Sequence, residues 1–148
     1  MVVRLLLFAL PSLLKERTMK VPDDLKYTEN DEWIRVEGDE GVIGITDFAQ
    51  DQLSDIVFVE VLEDVGASLD QGAACAAVES VKAAADVYLP VAGEIVATNQ
   101  ELPNQPELIN SDPYGQAWIL RIRLTDASQL DNLLDAAAYQ QSIEARNH

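Results

Sequence analysis

Lys82 is the side chain of this sequence best placed for covalent chemistry. It lies in Val78-Glu79-Ser80-Val81-Lys82-Ala83-Ala84-Ala85-Asp86-Val87-Tyr88-Leu89-Pro90. The chain has four lysines, Lys15, Lys20, Lys26 and Lys82, so from Tyr27 to the C-terminus Lys82 is the only one. Soluble surfaces usually scatter lysines freely. A lysine at a turn can be an ordinary solvated residue, a Schiff-base nucleophile or a site of covalent modification. The Schiff-base role needs a desolvated pocket or a second cation. The charges beside Lys82 are Glu79 and Asp86, both negative, which disfavours that role. Plain solvation is the default for any lone lysine. Two features point instead to an attachment point. Ser80, Val81, Ala83 and Ala84 are small or compact and leave the amine accessible, and short strands on both sides would hold it at a rigid tip.

Other chemistry has few residues to work with. The single cysteine, Cys75, permits no internal disulfide. It stands among Ala73, Ala74, Ala76 and Ala77 with no basic neighbour to activate it, and reads as a buried structural thiol. The only histidine is His148, the last residue, which excludes histidine triads and histidine metal clusters. A chain of 148 residues that is 48% hydrophobic is expected to form one domain with a real core. The net charge is -16, and beyond the first 18 residues seven basic residues face 25 acidic ones. So negative a field argues against nucleic acid or anionic membrane as partner. It suits partners with basic docking surfaces, or solubility alone.

The elements that would position Lys82 follow from hydrophobic periodicity. Residues 1–18 differ from the rest: a short apolar run, too short to span a bilayer, leads into Lys15-Glu16-Arg17-Thr18 without a small-residue cleavage site. We read them as a start-site extension ahead of Met19, or a targeting remnant, outside a single domain of residues 19–148. Residues 21–25 read as a turn or one helical turn. Residues 33–37 and 42–45 read as a hairpin about Gly38-Asp39-Glu40-Gly41. Thr46 is placed to cap a short helix, and residues 56–61, nearly all β-branched or aromatic, read as a strand. Residues 73–79 and 84–89 form the hairpin around Lys82, and residues 94–98 another strand. Residues 99–113, with three prolines, read as a loop. In residues 118–124, Leu120, Ile122 and Leu124 share one face and Arg121 and Arg123 the other. One helical segment is expected from Thr125 or Asp126, with Leu130, Leu133, Leu134 and Ala137 as its stripe, and fraying from about Glu144. The expected fold is mainly β: a sandwich or flattened barrel with short helices and a C-terminal helix.

At the lysine hairpin the sequence resembles a known family. Val78 to Tyr88, followed by Pro90-Val91-Ala92-Gly93-Glu94-Ile95, is similar to the lipoylation segment of the glycine cleavage system H protein. Further segments resemble that family in the same order: Glu32-Trp33, Gly44-Ile45-Thr46-Asp47-Phe48-Ala49-Gln50, Asp55-Ile56-Val57-Phe58-Val59-Glu60, Leu108-Ile109-Asn110 and Pro113-Tyr114-Gly115. Together they cover about residues 22–134. Biotin carriers typically flank the lysine with methionines, whereas here Val81 and Ala83 flank it. Lipoyl domains of 2-oxoacid dehydrogenases typically place Asp before the lysine.

The resemblance implies a lipoyl-type fold (a barrel-sandwich hybrid) and lipoate in amide linkage on Lys82. It implies that Glu79, Ser80, Val81 and Ala83 are read by the lipoate-attaching enzyme. It implies a non-catalytic carrier for glycine catabolism and one-carbon metabolism. A pyridoxal-phosphate glycine decarboxylase (P protein) would load an aminomethyl group. A tetrahydrofolate-dependent aminomethyltransferase (T protein) would unload it, and dihydrolipoamide dehydrogenase (L protein) would reoxidise the dithiol. The loaded arm needs shelter from water, and the matching cleft positions are Glu32, Ile45, Leu53 and Asp86. Ile45 and Leu53 can equally be plain core, and Glu32 and Asp86 plain solvated carboxylates. A monomer in a bacterial cytoplasm is expected, or in the mitochondrial matrix if residues 1–18 are a targeting peptide. A lipoyl donor that relays lipoate to other lipoyl domains fits the same pattern. An unmodified interaction module is disfavoured by Glu79 and Lys82. The chain departs from the family pattern at Asp31, where His is usual, at Ser54 and at Ala117.

Overall fold

The computed structural model describes residues 18–146. Its strands are β1 (Lys26–Tyr27), β2 (Glu32–Glu37), β3 (Glu40–Ile45), β4 (Ile56–Val61), β5 (Ser68–Leu69), β6 (Ala74–Ser80), β7 (Ala84–Tyr88), β8 (Gly93–Thr98) and β9 (Leu120–Leu124). They form two antiparallel sheets, ordered β1-β2-β3-β9-β8-β5 and β4-β6-β7. Among the described residues no sheet closes into a barrel, so the mainly β expectation is met by its sandwich form. The helices are α1 (Asp47–Leu53), α2 (Leu108–Ser111) and α3 (Ala136–Arg146), with a 3-10 turn at Ala127–Asn132. The proposed extension lies outside the described residues except for Thr18. Met19 packs against the core that Tyr27, Trp33 and Tyr139 share.

The β2–β3 hairpin turns at Gly38, whose φ of 66° is the left-handed conformation glycine adopts without strain. Alternation then sets which side chains go inward. On β9, Leu120 and Ile122 are fully buried, while Arg121 on the outer face pairs with Glu37 at 2.9 Å and Glu40 at 3.1 Å. Ile34, Ile43, Ile95 and Ile122 of the larger sheet meet Val59, Cys75, Val78 and Val87 of the smaller one in a single core. Each buried Ile or Val there contributes roughly 1.5–3 kcal/mol by leaving water.

A second core sits under α3. Tyr27 and Tyr139 stack there with ring centroids 4.6 Å apart. The Trp33 indole N–H donates to the carbonyls of Ile45 at 3.0 Å and Pro113 at 3.1 Å. Gly44 lies so close to this ring that a Cβ would come within 2.7 Å of its atoms. That is why residue 44 has no side chain.

Three expectations are corrected. Residues 99–113 are not wholly loop, because α2 lies inside them. The single segment predicted after Thr125 is a 3-10 turn, an extended break and α3. The break exists because Leu134 exchanges both backbone hydrogen bonds with Tyr27, at 2.8 Å each, which requires extended backbone. Finally, α3 runs to Arg146 instead of fraying from Glu144, because the Arg146 guanidinium bonds Asp31 Oδ1 at 2.7 Å and Oδ2 at 3.1 Å.

Candidate functional site

The Lys82 hairpin is organised from its backbone outward. Strands β6 and β7 pair from Ala74↔Tyr88 to Glu79↔Ala84. Ser80 then builds the turn. Its N–H donates to the Ala83 carbonyl at 2.7 Å. Its hydroxyl oxygen accepts from the N–H groups of Lys82 at 3.2 Å and Ala83 at 3.0 Å. A serine hydroxyl that bonds nearby backbone N–H groups in this way stabilises a tight turn. The tip is also moored from outside, since the Val81 N–H donates to the Asp55 carbonyl at 3.0 Å. Glu79 and residues 81–86 are exposed. None of the ion pairs among the described residues involves Lys82. Between Arg35 and Arg121 no other lysine or arginine occurs.

Beside the hairpin lies a cleft of about 190 Å³. Glu32, Ile45, Leu53 and Asp86 all line it, together with Asp31 and Val78. The four come from β2, β3, α1 and β7, so only the tertiary fold brings them together. Glu32 and Ile45 are direct partners across the β2–β3 ladder. Ile45 and Leu53 line the cleft and also pack against the main core. Helix α1 delivers Leu53. Thr46 caps it by accepting the Ala49 N–H at 3.2 Å, and Ser54 ends it with φ 70°.

Of the two readings open to Glu32, the plain solvated carboxylate does not hold. It is 1% exposed. One oxygen accepts from the Thr28 hydroxyl and the other from the Tyr88 N–H at 3.0 Å. The second bond ties β2 to the lysine hairpin. Burial pushes the Glu32 carboxyl above its ordinary value, more than these two bonds pull it down. Asp86, in contrast, is exposed at the cleft mouth. Of the three carboxylates that line the cleft, Glu32 is sealed from solvent and Asp86 is open to it, with Asp31 between these extremes.

Asp31, one of the three departures from the family pattern, lies in the cleft wall. Its φ is 72°, a conformation that Asp tolerates better than most residues. Its carboxylate accepts from the Tyr139 hydroxyl at 2.8 Å and from Arg146. Tyr139 in turn lies 2.6 Å from the Thr46 hydroxyl. The Arg146 guanidinium also stacks over Phe48, 4.9 Å from the ring centroid. Helix α3 is thus clamped to the cleft rim.

Sequence reasoning missed Thr28, Asp31 as a clamped residue, and Asn110. Asn110 donates to Gln50 Oε1 and to the Ser54 carbonyl at 2.9 Å each, and accepts the Ile56 N–H at 2.9 Å. It fixes the α1–β4 corner, whose Asp55 carbonyl moors the lysine turn. Its place in the segment Leu108-Ile109-Asn110 is the one signal that could have singled it out. Cys75 meets its structural reading: burial pushes its thiol up to about 12. Among the described residues no cluster of His, Cys, Asp and Glu could hold a metal ion.

The description "Glycine cleavage H-protein" belongs to the family pattern that matches residues 25–146. This chain belongs to that family. It is 56% identical over 125 residues to the glycine cleavage system H protein of Aeromonas salmonicida, covering 84% of this chain and 96% of that protein. It is 57% identical over 119 residues to the protein of that name from Symbiobacterium thermophilum, covering 80% and 92%. With a Thermus thermophilus protein of the same name it shares 52% identity over 127 residues, 86% and 98% of the two chains. The crystal structure of a glycine cleavage system H protein from Mycobacterium marinum superposes with a TM-score of 0.77 at 34% identity, covering 84% of this chain and 99% of that one. The family assignment accords with the resemblance at the lysine hairpin. It also gives the two-sheet fold an experimental counterpart.

Proposed function

We propose that this protein is the non-catalytic lipoyl carrier of a glycine cleavage system, with lipoate in amide linkage on Lys82. The observation that carries this reading is the pairing of an exposed lysine, free of ion pairs among the described residues and set on a braced turn, with a cleft beside it that Asp31, Glu32 and Asp86 line. Attachment needs an amine free of ion pairs and flanked by small side chains, and Lys82 meets both conditions. Held on Lys82, lipoate would supply a redox-active disulfide able to carry an aminomethyl group, the chemistry that links glycine decarboxylase, the aminomethyltransferase and dihydrolipoamide dehydrogenase.

The chain's own residues hold and shelter. Glu32 and Asp86 offer acceptor oxygens to a cationic amine, while Ile45 and Leu53 form apolar walls that keep water out. Glu32 is preorganised for this: its bonds to Thr28 and Tyr88 hold the carboxyl in place before any cargo arrives. The cytoplasm of a bacterial host is the proposed location, in keeping with the bacterial relatives.

Intact mass spectrometry of protein from its native host, with Lys82→Ala as control, tests the reading. The native protein is expected to carry the mass of one lipoyl group that the control lacks. Native material without any adduct at Lys82 sinks the carrier reading. Reconstituted glycine decarboxylation, set against lipoyl transfer to other lipoyl domains, separates a carrier from a relay.

A further inference from the structure

Strand β4 carries an apolar surface that neither the core nor the cleft uses. Val57 is 53% exposed and Phe58 45%. Regular alternation would turn only one of two neighbours outward. Here the β4–β6 register shifts between Ile56 and Phe58, so Ile56 opposes Ser80 and Phe58 opposes Glu79. The extra residue turns both Val57 and Phe58 to solvent and leaves Ile56 and Val59 inside. Bulges of this kind re-aim side chains beside functional sites. β4 is also an edge strand, paired with β6 alone. An apolar edge strand invites aggregation, so its persistence needs a reason.

Its position suggests one. Val81, 66% exposed, bonds the carbonyl of Asp55, two residues before Val57. Phe58 lies opposite Glu79, three residues from Lys82. Val57, Phe58 and Val81 therefore flank the modified amine. Exposed carboxylates of Asp55, Glu60, Glu79 and Asp86 rim them, and Lys82 is the only cation between Arg35 and Arg121. Beyond Phe58 a groove of about 330 Å³ continues over Val61, Leu102 and Pro103.

We propose that the bulged β4 surface, Val57 and Phe58, is the docking site for the enzyme that attaches lipoate to Lys82. That enzyme would present an apolar pocket rimmed by lysine or arginine. The inference rests on the carrier reading and adds a surface outside the lysine segment. Reach selects this occupant. The attaching enzyme must bring its active site to Nζ itself, so it covers whatever flanks the turn. Enzymes that act on the far end of the arm stand off by its length. In the step itself, the Lys82 amine attacks the carbonyl of a lipoyl-adenylate. The C–N amide bond forms and the C–O bond to AMP breaks. AMP leaves with the electron pair, and the amine proton passes to solvent.

The test uses the full unlipoylated chain, a lipoate ligase and lipoyl-adenylate, with adduct formation followed by mass. Val57→Ser and Phe58→Ser are each expected to lower kcat/KM for attachment about tenfold, chiefly through KM. Val65→Ser, an equally exposed apolar position past the other end of β4, is expected to leave it unchanged. Attachment to either folded variant at the wild-type rate overturns the proposal and leaves the carrier reading standing. A wild-type chain that is never modified overturns the carrier reading instead. Hydrogen exchange on the wild-type chain removes dependence on variant folding: bound ligase should slow exchange across residues 57–59, and unchanged exchange there overturns the proposal. An equal loss in glycine decarboxylation by pre-lipoylated Val57→Ser, with attachment intact, would assign the surface to the decarboxylase and overturn it as well.

Discussion

Lys82 and Glu32 belong to one candidate site yet occupy opposite environments. Lys82 stands on a turn, exposed and free of ion pairs among the described residues, with its backbone locked by the Ser80 hydroxyl. Glu32 lines the cleft but is sealed from solvent, and its oxygens accept from Thr28 and Tyr88. On the proposed carrier reading, the group an enzyme would reach is held through its backbone, leaving the side chain free. The group proposed to hold the cargo is held through its side chain, at the cost of desolvating a carboxylate. The link between them is one hydrogen bond, from Tyr88 on the lysine hairpin to Glu32 on β2. Attachment and cargo holding should therefore be separable by mutation.

The largest expected effect is at the tip. Lys82→Ala or Lys82→Arg should abolish the lipoyl adduct completely and leave the thermal midpoint nearly unchanged, since exposed substitutions usually stay within about 0.5 kcal/mol. A large loss of stability would mean the tip is not an independent element.

Next comes Glu32→Ala. It should leave the Tyr88 N–H unpaired and cost about 1–3 kcal/mol in chemical denaturation. Loaded protein should lose its aminomethyl group to water about tenfold faster, while lipoylation proceeds at the wild-type rate. Slowed lipoylation would join the two regions into one.

Glu32→Gln sharpens the contrast through pH. Burial raises the Glu32 carboxyl above its ordinary value of 4.5, so in the pH window between the ordinary and the raised value the folded state binds more proton than the unfolded state. The stability this contributes is complete below the ordinary value and is lost as pH rises through the raised one. The variant should gain relative to wild type as pH climbs out of the ordinary carboxylate range. Denaturation midpoints of both proteins across that window check the sign, and a flat difference refutes it.

The smallest effect belongs to the clamp. Arg146 is 37% exposed against Asp31 at 18%, so solvent screening limits the pair. Arg146→Gln should cost about 1 kcal/mol or less, and added salt should shrink the difference. An increase in cargo loss comparable to that of Glu32→Ala would show that α3 shapes the cleft more than its contacts suggest.

Much of this was legible along the chain where the governing forces are local. Alternation placed Leu120 and Ile122 inside and Arg121 outside. Thr46 announced the start of α1, and Ser80 with small neighbours announced an accessible lysine turn. Local reading failed where a distant partner decides. Leu134 sits in an apolar stripe that suits a helix, but Tyr27 draws its backbone into a bridge. Val57-Phe58 reads as ordinary strand, and only the register against Ser80 and Glu79 reveals the bulge.

By itself, then, the sequence determined that Lys82 would be the only lysine from Tyr27 onward in an acidic domain, that residues for histidine and cysteine chemistry were scarce, and that the fold would be mainly β. These follow from residue identity and from periods of two and 3.6, which need no knowledge of what lies across the core. The tertiary structure alone decided that Glu32 would be buried, because its burial is imposed by Tyr88, 56 residues away, and by the hairpin packed over it. It also decided that Asp31 would be clamped by Arg146, 115 residues away. A carboxylate's state depends on the water and dipoles around it, and those are supplied by segments that chain order does not bring together.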